Sequence, residues 1–361
     1  MNNSNRREMM RYLGHAAVSL PAWSAMALGD GQRKGQRIKI GQIGVGHAHA
    51  TKLSVYRDSE DYEVVGVVEA DPELRKRAER NPTYHDLPWM TQEQLLNVSG
   101  LQAVLVETRV RDLLDVAETC VTAEKHIHLD KPAGQSLPQF RRILEMAQKQ
   151  NLLVQMGYMY RYNPGIVLIR EFLRNGWLGE VFEIHTVMSK VVGSESRRNL
   201  AEYPGGMMFE LGCHIIDLVL GIMGKPTKVT PFSRHSAAAE DQLVDNMLAV
   251  LEYPQAIATV KSSALEVEGF ARRHLVVCGT GGTFHIQPLD TPSARIALSS
   301  RREEYSRGYQ EVSFPKYTRY VADAADMARI LRGEKETDFP YAHDLNVQRA
   351  VLHACNLPLD D

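Results

Sequence analysis

The first half of the chain alternates short apolar runs with amphipathic segments. Runs rich in β-branched residues, which predict buried strands, lie at 37–43, 62–68, 101–106, 126–129 and 152–156. Segments with helical periodicity lie between them, at 51–57, 72–80, 111–124 and 137–150. Because strands that alternate with helices pair through right-handed crossovers, residues 37–156 are predicted to form a doubly wound parallel sheet.

The pattern changes after residue 156. Longer extended runs at 181–192, 247–253, 256–265, 274–278 and 283–286 predict a larger, mostly antiparallel sheet. Helices are predicted at 166–174 and 212–223, with a final helix at 320–331 that could pack on either domain. The predicted fold class is therefore α/β, with a second α/β domain at 157–361 that carries a large open sheet.

The charge balance argues against nucleic-acid and membrane partners. Lys and Arg total 42 and Asp and Glu total 44, a formal net charge of −2, so no global field attracts a polyanion. The four cysteines are far apart and form no CxxC pair, which indicates neither a zinc site nor a disulfide framework. We expect a small-molecule ligand and no nucleic-acid partner.

The first 36 residues differ from the rest of the chain. The stretch 5–11, NRREMMR, resembles the twin-arginine export signal, and an apolar run at 12–28 with a cleavage candidate at 25–27 follows it. His15, Pro21 and Ser24 interrupt this run, which is too short to span a bilayer. We expect residues 1–36 to be the signal and linker of a periplasmic protein. An extended amino terminus of a cytoplasmic protein is the alternative.

The stretch 40–50, IGQIGVGHAHA, places glycines at the end of the first predicted strand. Gly44 and Gly46 let the backbone turn tightly and approach a pyrophosphate, which the amino end of the next helix stabilises. His49 stands where the usual fingerprint has a third glycine, which serves helix packing. Val45 and His47 complete the loop that would face the nucleotide. The stretch therefore predicts a Rossmann dinucleotide-binding domain.

Glu69 ends the second predicted strand. A carboxylate at this point accepts hydrogen bonds from the adenosine ribose and repels a 2′-phosphate, so it favours NAD over NADP. Asp71 and Arg75 follow closely in the sequence and keep NADP as the alternative cofactor.

His47 and His49 also have the spacing of ligands in some metal hydrolases. Such a site needs further His or Asp ligands at other strand ends. His126 and His128 have the same spacing, but strand alternation alone produces it there, and no strand-end aspartate is expected to complete the set. We therefore predict no metal site and treat a metal hydrolase as a lesser alternative.

Two later stretches carry acid–base chemistry. In 128–132, HLDKP, a predicted strand ends in Asp130 and Lys131, and an ammonium beside a nicotinamide can hydrogen-bond a substrate hydroxyl and ease its deprotonation. Helical spacing places Glu210, His214 and Asp217 on one face, where the imidazole can take the proton and a carboxylate can fix its tautomer. A metal-binding helix or an ordinary capped helix has the same spacing.

This ordered set of motifs resembles the Gfo/Idh/MocA oxidoreductase family over nearly the whole chain from residue 37. The motifs are the glycine loop, the DKP sequence at 130–132, the aromatic stretch YMYRYNP at 158–164, and the segment 205–217. The resemblance implies a Rossmann domain joined to an α/β domain whose open sheet forms homo-oligomer interfaces. It also implies NAD(P)-dependent oxidation or reduction of a sugar, cyclitol or related alcohol.

By the same resemblance, Lys131 and His214 are the catalytic pair, and Glu210 takes the place of the family's aspartate. The cofactor would contact Gly44, Val45, Gly46, His47, Glu69, Thr108, Asp130 and Lys131, and the substrate would lie near Arg161 and Asp217. The chain departs from the family pattern at His49, Asp130 and Glu210. Two other functions stay open: a glycosidase that uses the cofactor without net consumption, and a non-catalytic sensor that holds the cofactor.

Overall fold

The structure, a computed structural model, describes residues 36–359. The predicted export signal lies outside the described residues, and its function stays a prediction. Within the described part of the chain, no helix is both long and apolar enough to cross a bilayer.

The first sheet is built from short, largely buried strands. Its six parallel strands are β1 to β6, namely Ile38–Ile43, Tyr62–Val68, Trp89–Met90, Ala103–Val106, His126–Leu129 and Val154–Met156. Their order is β3-β2-β1-β4-β5-β6, which is the order of doubly wound dinucleotide-binding sheets. The predicted parallel sheet is confirmed. The strand β3 escapes sequence prediction because two residues carry no periodic signal.

Short helices form the crossovers of this sheet. The helices α1 to α5 are Leu53–Asp58, Pro72–Ala78, Gln92–Leu96, Leu113–Thr122 and Leu137–Lys149. Local signals set their starts: Asp71 accepts hydrogen bonds from two backbone N–H groups of α2, and Thr91 and Gln94 form a capping box at α3. The crossovers bring the carboxyl ends of β1, β2, β4 and β5 to one edge of the sheet.

The second sheet is larger and open. Its strands β7 to β14 are Val181–Val187, Lys228–Arg234, Asn246–Tyr253, Ala256–Ser263, His274–Gly279, Gly282–Ile286, Ser293–Leu298 and Gly308–Ser313. Their order is β14-β13-β12-β11-β7-β10-β9-β8, with β7 and β10 parallel and the other neighbours antiparallel. The predicted α/β fold with a large, mostly antiparallel second sheet is confirmed.

The remaining helices follow β6 in the chain. The helices α6 to α11 are Pro164–Arg174, Ser194–Leu200, Cys213–Met223, Gly269–Arg272, Val321–Leu331 and Tyr341–Ala354, and a π-helical turn at Met208–Gly212 leads into α8. The carboxyl-terminal helix α11 packs against both α8 and α5. The two sheets belong to one compact unit, so the predicted boundary at residue 156 stays a prediction.

Several expectations for the second half are wrong. The strand predicted at 181–192 ends at Val187, and β8, β13 and β14 escape prediction because strands with one solvated face show no continuous apolar run. The helix at 320–331 is not the final one, since α11 follows it. It packs on the first domain, where the Tyr62 hydroxyl donates a hydrogen bond to the Ala324 carbonyl at 2.6 Å.

Candidate active site

A cavity of about 640 Å³ lies at the carboxyl ends of β1, β2 and β4. Its lining includes the residues that follow these strands, among them Gly44, Glu69, Asp71, Thr108 and Arg109. Ligands of doubly wound sheets bind at this edge, where the strand order reverses. The structure thus brings Gly44, Glu69 and Thr108 together, as the nucleotide prediction requires.

Gly44 has a backbone conformation that favours glycine. Its φ is +92°, and a Cβ atom at this position would lie 2.4 Å from the backbone nitrogen of Thr108. A Cβ at Gly46 would lie 3.1 Å from the flexible side chain of Arg109. The loop forms a cradle that a side chain at Gly44 would fill, which fits a dinucleotide whose pyrophosphate approaches the backbone.

We expect Gly44→Ala to weaken NAD binding more than Gly46→Ala does. The new Cβ would collide with the backbone after β4, and a left-handed conformation costs a non-glycine residue roughly 1–2 kcal/mol. Isothermal titration of NAD into both variants measures the effect, with urea unfolding to monitor stability. A Gly44→Ala variant that binds NAD as tightly as the parent would contradict the cradle.

Both carboxylate oxygens of Glu69 are held by backbone groups. One accepts a hydrogen bond from the Val45 N–H at 2.8 Å and the other from the Asp71 N–H at 2.9 Å. Each oxygen keeps a second lone pair for a ribose hydroxyl. Asp71 also pairs with Arg109 at 3.3 Å, so the cavity offers polar partners to NAD and NADP alike.

A buried ionic cluster lies at the ends of β4 and β5. The ammonium of Lys52 is 2.9 Å from Glu107 and 2.7 Å from Asp130, and all three side chains are inaccessible to solvent. Burial and the neighbouring Asp130 raise the pKa of Glu107 well above its usual range. Burial also acts to raise the pKa of Asp130, but His47 and Lys52 outweigh it and hold that pKa well below its usual range. Burial therefore favours the uncharged form of Glu107, while the Asp130 carboxylate pairs with the Lys52 ammonium.

Both histidines of the glycine loop contact this cluster. His47 lies 3.0 Å from one oxygen of Asp130, and Nδ1 of His49 lies 3.2 Å from the other. Ligand atoms of these three residues lie within 4.8 Å of one another, so the expectation that no strand-end aspartate joins the histidines is wrong. The glycine loop turns toward the end of β5, which sequence spacing does not show. Because the Lys52 ammonium already neutralises Asp130, we keep the prediction that the site holds no metal.

His49 does more than replace a packing glycine. Its ring centroid lies 5.9 Å from that of His214 and 5.8 Å from that of Tyr320. Burial lowers the pKa of His49 to about 4, so the imidazole is neutral near pH 7. The carboxylate of Asp130 favours the tautomer with the proton on Nδ1, which leaves Nε2 as an acceptor.

Lys131, Glu210 and His214 come together from the two domains. The Lys131 ammonium donates to the Glu210 carbonyl at 2.7 Å and lies 3.5 Å from its carboxylate. Burial acts to lower the pKa of Lys131, but Glu210 outweighs it and the pKa is raised. Burial and Lys131 lower the pKa of His214 well below its usual range. The pair is thus an ammonium beside a neutral imidazole.

Glu210, His214 and Asp217, predicted to share one helical face, do not interact with one another as a set in the structure. After the π-helical turn, Asp217 accepts hydrogen bonds from Arg161, with a shortest distance of 2.6 Å, and Arg161 also donates to Asp344 at 2.5 Å. Within residues 36–359, Nδ1 of His214 has no hydrogen-bond partner, so the expected tautomer-fixing carboxylate is not seen. Arg161 and Asp217 neutralise each other in a buried network, and their contact with substrate stays a prediction.

Sequence comparison assigns both domains to one family. Residues 38–158 match the oxidoreductase family with an NAD-binding Rossmann fold, and residues 166–285 match the GFO/IDH/MocA C-terminal domain. The chain belongs to the Gfo/Idh/MocA oxidoreductase family. The resemblance inferred from the motifs is confirmed, and so is an NAD-binding first domain.

Several relatives of this family member have names or bound ligands that indicate their chemistry. The myo-inositol 2-dehydrogenase of Thermotoga maritima is 22% identical over 260 residues, which are 68% of this chain and 75% of the relative. An oxidoreductase from Agrobacterium radiobacter, solved with NAD+, L-tartaric acid and magnesium, has a TM-score of 0.76 at 17% identity, over 89% of this chain and 97% of that one. The UDP-N-acetylglucosamine 3-dehydrogenase GnnA of Acidithiobacillus ferrooxidans has a TM-score of 0.72 at 19% identity, over 90% and 99%. At these identities the structural likeness shows the shared fold.

Sequence reasoning missed several site residues of this Gfo/Idh/MocA oxidoreductase. Glu107 directly follows the buried strand β4, and this strand-end carboxylate is a signal that could have been used. Lys52 carries no comparable signal, because a lysine near a helix start is normally solvated. Tyr158 and Tyr160 pack edge-on against His214, with ring centroids 6.0 and 5.2 Å away, and only the family resemblance drew attention to their stretch.

We expect the free energy of unfolding to decrease as the pH falls from about 6.5 to about 4. Burial lowers the pKa of His49 from 6.5 to about 4 and lowers those of His128 and His214 well below 6.5. In that interval the unfolded chain binds protons that the folded chain does not, so stability present above pH 6.5 is lost as the pH falls. Urea unfolding across this interval measures the loss, which should be smaller in His49→Gln. A pH dependence of stability in His49→Gln that is identical to that of the parent would contradict the attribution of this loss to His49.

Proposed function

We propose that this oxidoreductase is an NAD-dependent dehydrogenase that acts on an alcohol carbon of a sugar-like or cyclitol-like substrate. The observation that carries the proposal is the approach of the Lys131 ammonium, from the Rossmann domain, to the segment of the second domain that holds Glu210 and His214. Relatives named myo-inositol 2-dehydrogenase and UDP-N-acetylglucosamine 3-dehydrogenase support the substrate class.

The residues at the carboxyl edge of the first sheet suit the cofactor. Gly44, Val45, Gly46 and His47 would hold its phosphates, Glu69 would accept hydrogen bonds from its adenosine ribose, and Thr108 and Asp130 would lie beside it. A bound nicotinamide supplies a hydride acceptor for alcohol oxidation. The cradle at Gly44, which a Cβ atom would fill, supports this fit.

The chain's own side chains would manage the hydroxyl proton. Lys131 is protonated, so it donates a hydrogen bond to the substrate oxygen and stabilises negative charge that develops there. His214 is neutral, so an imidazole nitrogen can accept the hydroxyl proton while the hydride leaves the same carbon. Glu210 helps to keep Lys131 a hydrogen-bond donor, because its carboxylate offsets the lowering of the Lys131 pKa by burial.

The function is tested by purifying the protein, measuring whether NAD(H) remains bound, and then assaying nicotinamide reduction with a panel of sugars and cyclitols. We expect at least one sugar or cyclitol of the panel to reduce the nicotinamide, and we expect this reduction to depend on Lys131. Release of an aglycone from aryl glycosides without net reduction would identify the glycosidase alternative. Tight cofactor binding without any turnover would identify the sensor.

We expect NAD to bind more tightly than NADP, and the difference to shrink in Glu69→Ser. A carboxylate at the end of β2 repels a 2′-phosphate, and a tenfold preference corresponds to about 1.4 kcal/mol. Titration of both nucleotides into the parent and the variant measures the preference. Tighter NADP binding to the parent would reject this role for Glu69.

Two further expectations belong to this proposal. We propose that the protein is exported to the periplasm, on the basis of the motif at 5–11, and that it forms a homo-oligomer through the second sheet. The side chains of Ile257 and Tyr309, on strands of that sheet, are 56% and 84% exposed, which supports an apolar contact. Light scattering of the purified protein tests the oligomer, and fractionation of cells tests the export.

A further inference from the structure

Lys190 is a cation without an ion-pair partner beside the catalytic residues. Its backbone N–H donates to the Ser263 carbonyl at 3.0 Å, so the pairing of the second sheet fixes its position just beyond β7. The charged groups that act on its ammonium are Glu210, Lys131 and Arg273. Within residues 36–359, its side chain has no ion pair within 4.0 Å.

A second cation, Arg273, lies in the same region. Its guanidinium donates to the Ser189 carbonyl at 3.3 Å, to the Tyr160 hydroxyl at 3.4 Å and to Asp290 at 3.1 Å. The Tyr160 ring in turn stands edge-on to His214, 5.2 Å between centroids. Arg273 is therefore separated from the proposed base by one aromatic ring, and it touches the residue that precedes the unpaired lysine.

The carboxylates of this region do not balance its cations. Asp290 accepts from both Arg273 and Arg319, so one carboxylate serves two guanidinium groups. Glu210 already lies 3.5 Å from Lys131. Among the described residues that act on Lys190, positive charge is thus in excess. Lys190 is partly buried, and partial removal of a charge from water is unfavourable unless a partner is supplied.

We propose that the substrate of this site carries an anionic group, a carboxylate or a phosphate, and that the Lys190 ammonium binds it. The inference rests on the proposed function, because it takes the alcohol-bearing ligand of that function and adds a charged substituent. Arg273 raises the positive potential at the same place while Asp290 and Tyr160 hold its orientation. A neutral sugar or cyclitol would leave Lys190 unpaired.

Matched ligand pairs on the NAD-saturated protein test the proposal. Calorimetric titration compares glucuronate with glucose, galacturonate with galactose, and glucose 6-phosphate with glucose, and a nicotinamide-reduction assay follows on the same ligands. We expect at least one charged ligand to bind about tenfold or more tightly than its neutral partner, since hydrogen bonds to charged groups are the stronger ones. The carboxylate and phosphate pairs show which anion the site prefers.

Three variants assign the preference to one side chain. Lys190→Met is expected to remove the advantage of the charged ligand and to leave the affinity for the neutral partner unchanged. Lys190→Arg is expected to keep most of the advantage because it keeps the charge. Lys225→Met, at an exposed position of the same domain, is expected to behave as the parent.

The outcomes separate this inference from the proposed function. Equal binding of charged and neutral ligands, failure of the charged ligands to bind, or an unchanged preference in Lys190→Met overturns the inference. A charged-ligand preference that depends on Lys190 but leads to no nicotinamide reduction supports the inference and overturns the proposed function. Turnover of neutral sugars without any preference for charged ligands supports the proposed function and overturns the inference.

Discussion

Replacing Lys131 with methionine is expected to lower kcat by about 10²- to 10⁴-fold, the usual contribution of a positioned acid–base group. The variant loses the ammonium that would stabilise the substrate oxygen, and His214→Asn, which removes the proton acceptor, should cause a similar loss. NAD binding should persist in both, because Gly44, Glu69 and Thr108, which line the nucleotide cavity, are unchanged. Steady-state kinetics on a substrate found in the panel, with calorimetric NAD titration, measures both effects.

A matched control separates this effect from a general loss of lysine. Lys149→Met, at the exposed end of α5, should keep the activity of the parent. The Lys131→Met/His214→Asn double variant should be little worse than either single variant, since groups that act as a unit are not additive. Full activity of the double variant would reject the catalytic assignment.

Replacing Lys52 with methionine is expected to destabilise the protein by about 3–5 kcal/mol, the typical effect of breaking a buried ion pair from one side. The methionine would fill similar space, but Asp130 would remain buried without its closest cation, which lies 2.7 Å away. Glu107 would also lose its contact with that ammonium at 2.9 Å. Urea unfolding at neutral pH, followed by circular dichroism, measures the change.

The double variant Lys52→Met/Asp130→Asn tests the cause of this loss. Removing the stranded carboxylate should restore part of the stability, because an uncharged amide is less costly to bury than an unpaired charge. Lys149→Met again serves as the exposed control and should change stability by less than about 0.5 kcal/mol. A Lys52→Met variant that loses less than about 1 kcal/mol would show that the cluster contributes little to stability.

Local sequence patterns predicted much of the fold. The buried runs at β1, β2, β4 and β5 were recognisable because a parallel strand covered on both faces has a continuous apolar sequence. The two-residue strand β3 and the half-solvated strands β8, β13 and β14 have no such run. The helix α11 escaped prediction for a related reason, since it contacts several elements, among them α8, β8 and α5, and not one surface.

The candidate site was predictable where a residue belongs to a motif. Lys131, Glu210 and His214 stand in ordered motifs, and the structure brings them together. Lys52 and Lys190 stand in no motif, so their roles depend on which carboxylates the fold places near them. Lys52 lies within 3 Å of the carboxyl groups of Glu107 and Asp130, whereas Lys190 has no ion pair among the described residues. No sequence pattern expresses this difference.

The sequence by itself determined the α/β class and the nucleotide loop after β1, and it predicted the residues that would carry acid–base chemistry. These follow from interactions between near neighbours in the chain, such as strand and helix periodicity, glycine conformation and strand-end position. Only the tertiary structure decided that Asp130 joins His47, His49 and Lys52 in one buried cluster, and that Asp217 turns to Arg161. Those contacts join residues far apart in the sequence, and their charge states depend on burial that exists only after the two sheets have packed together.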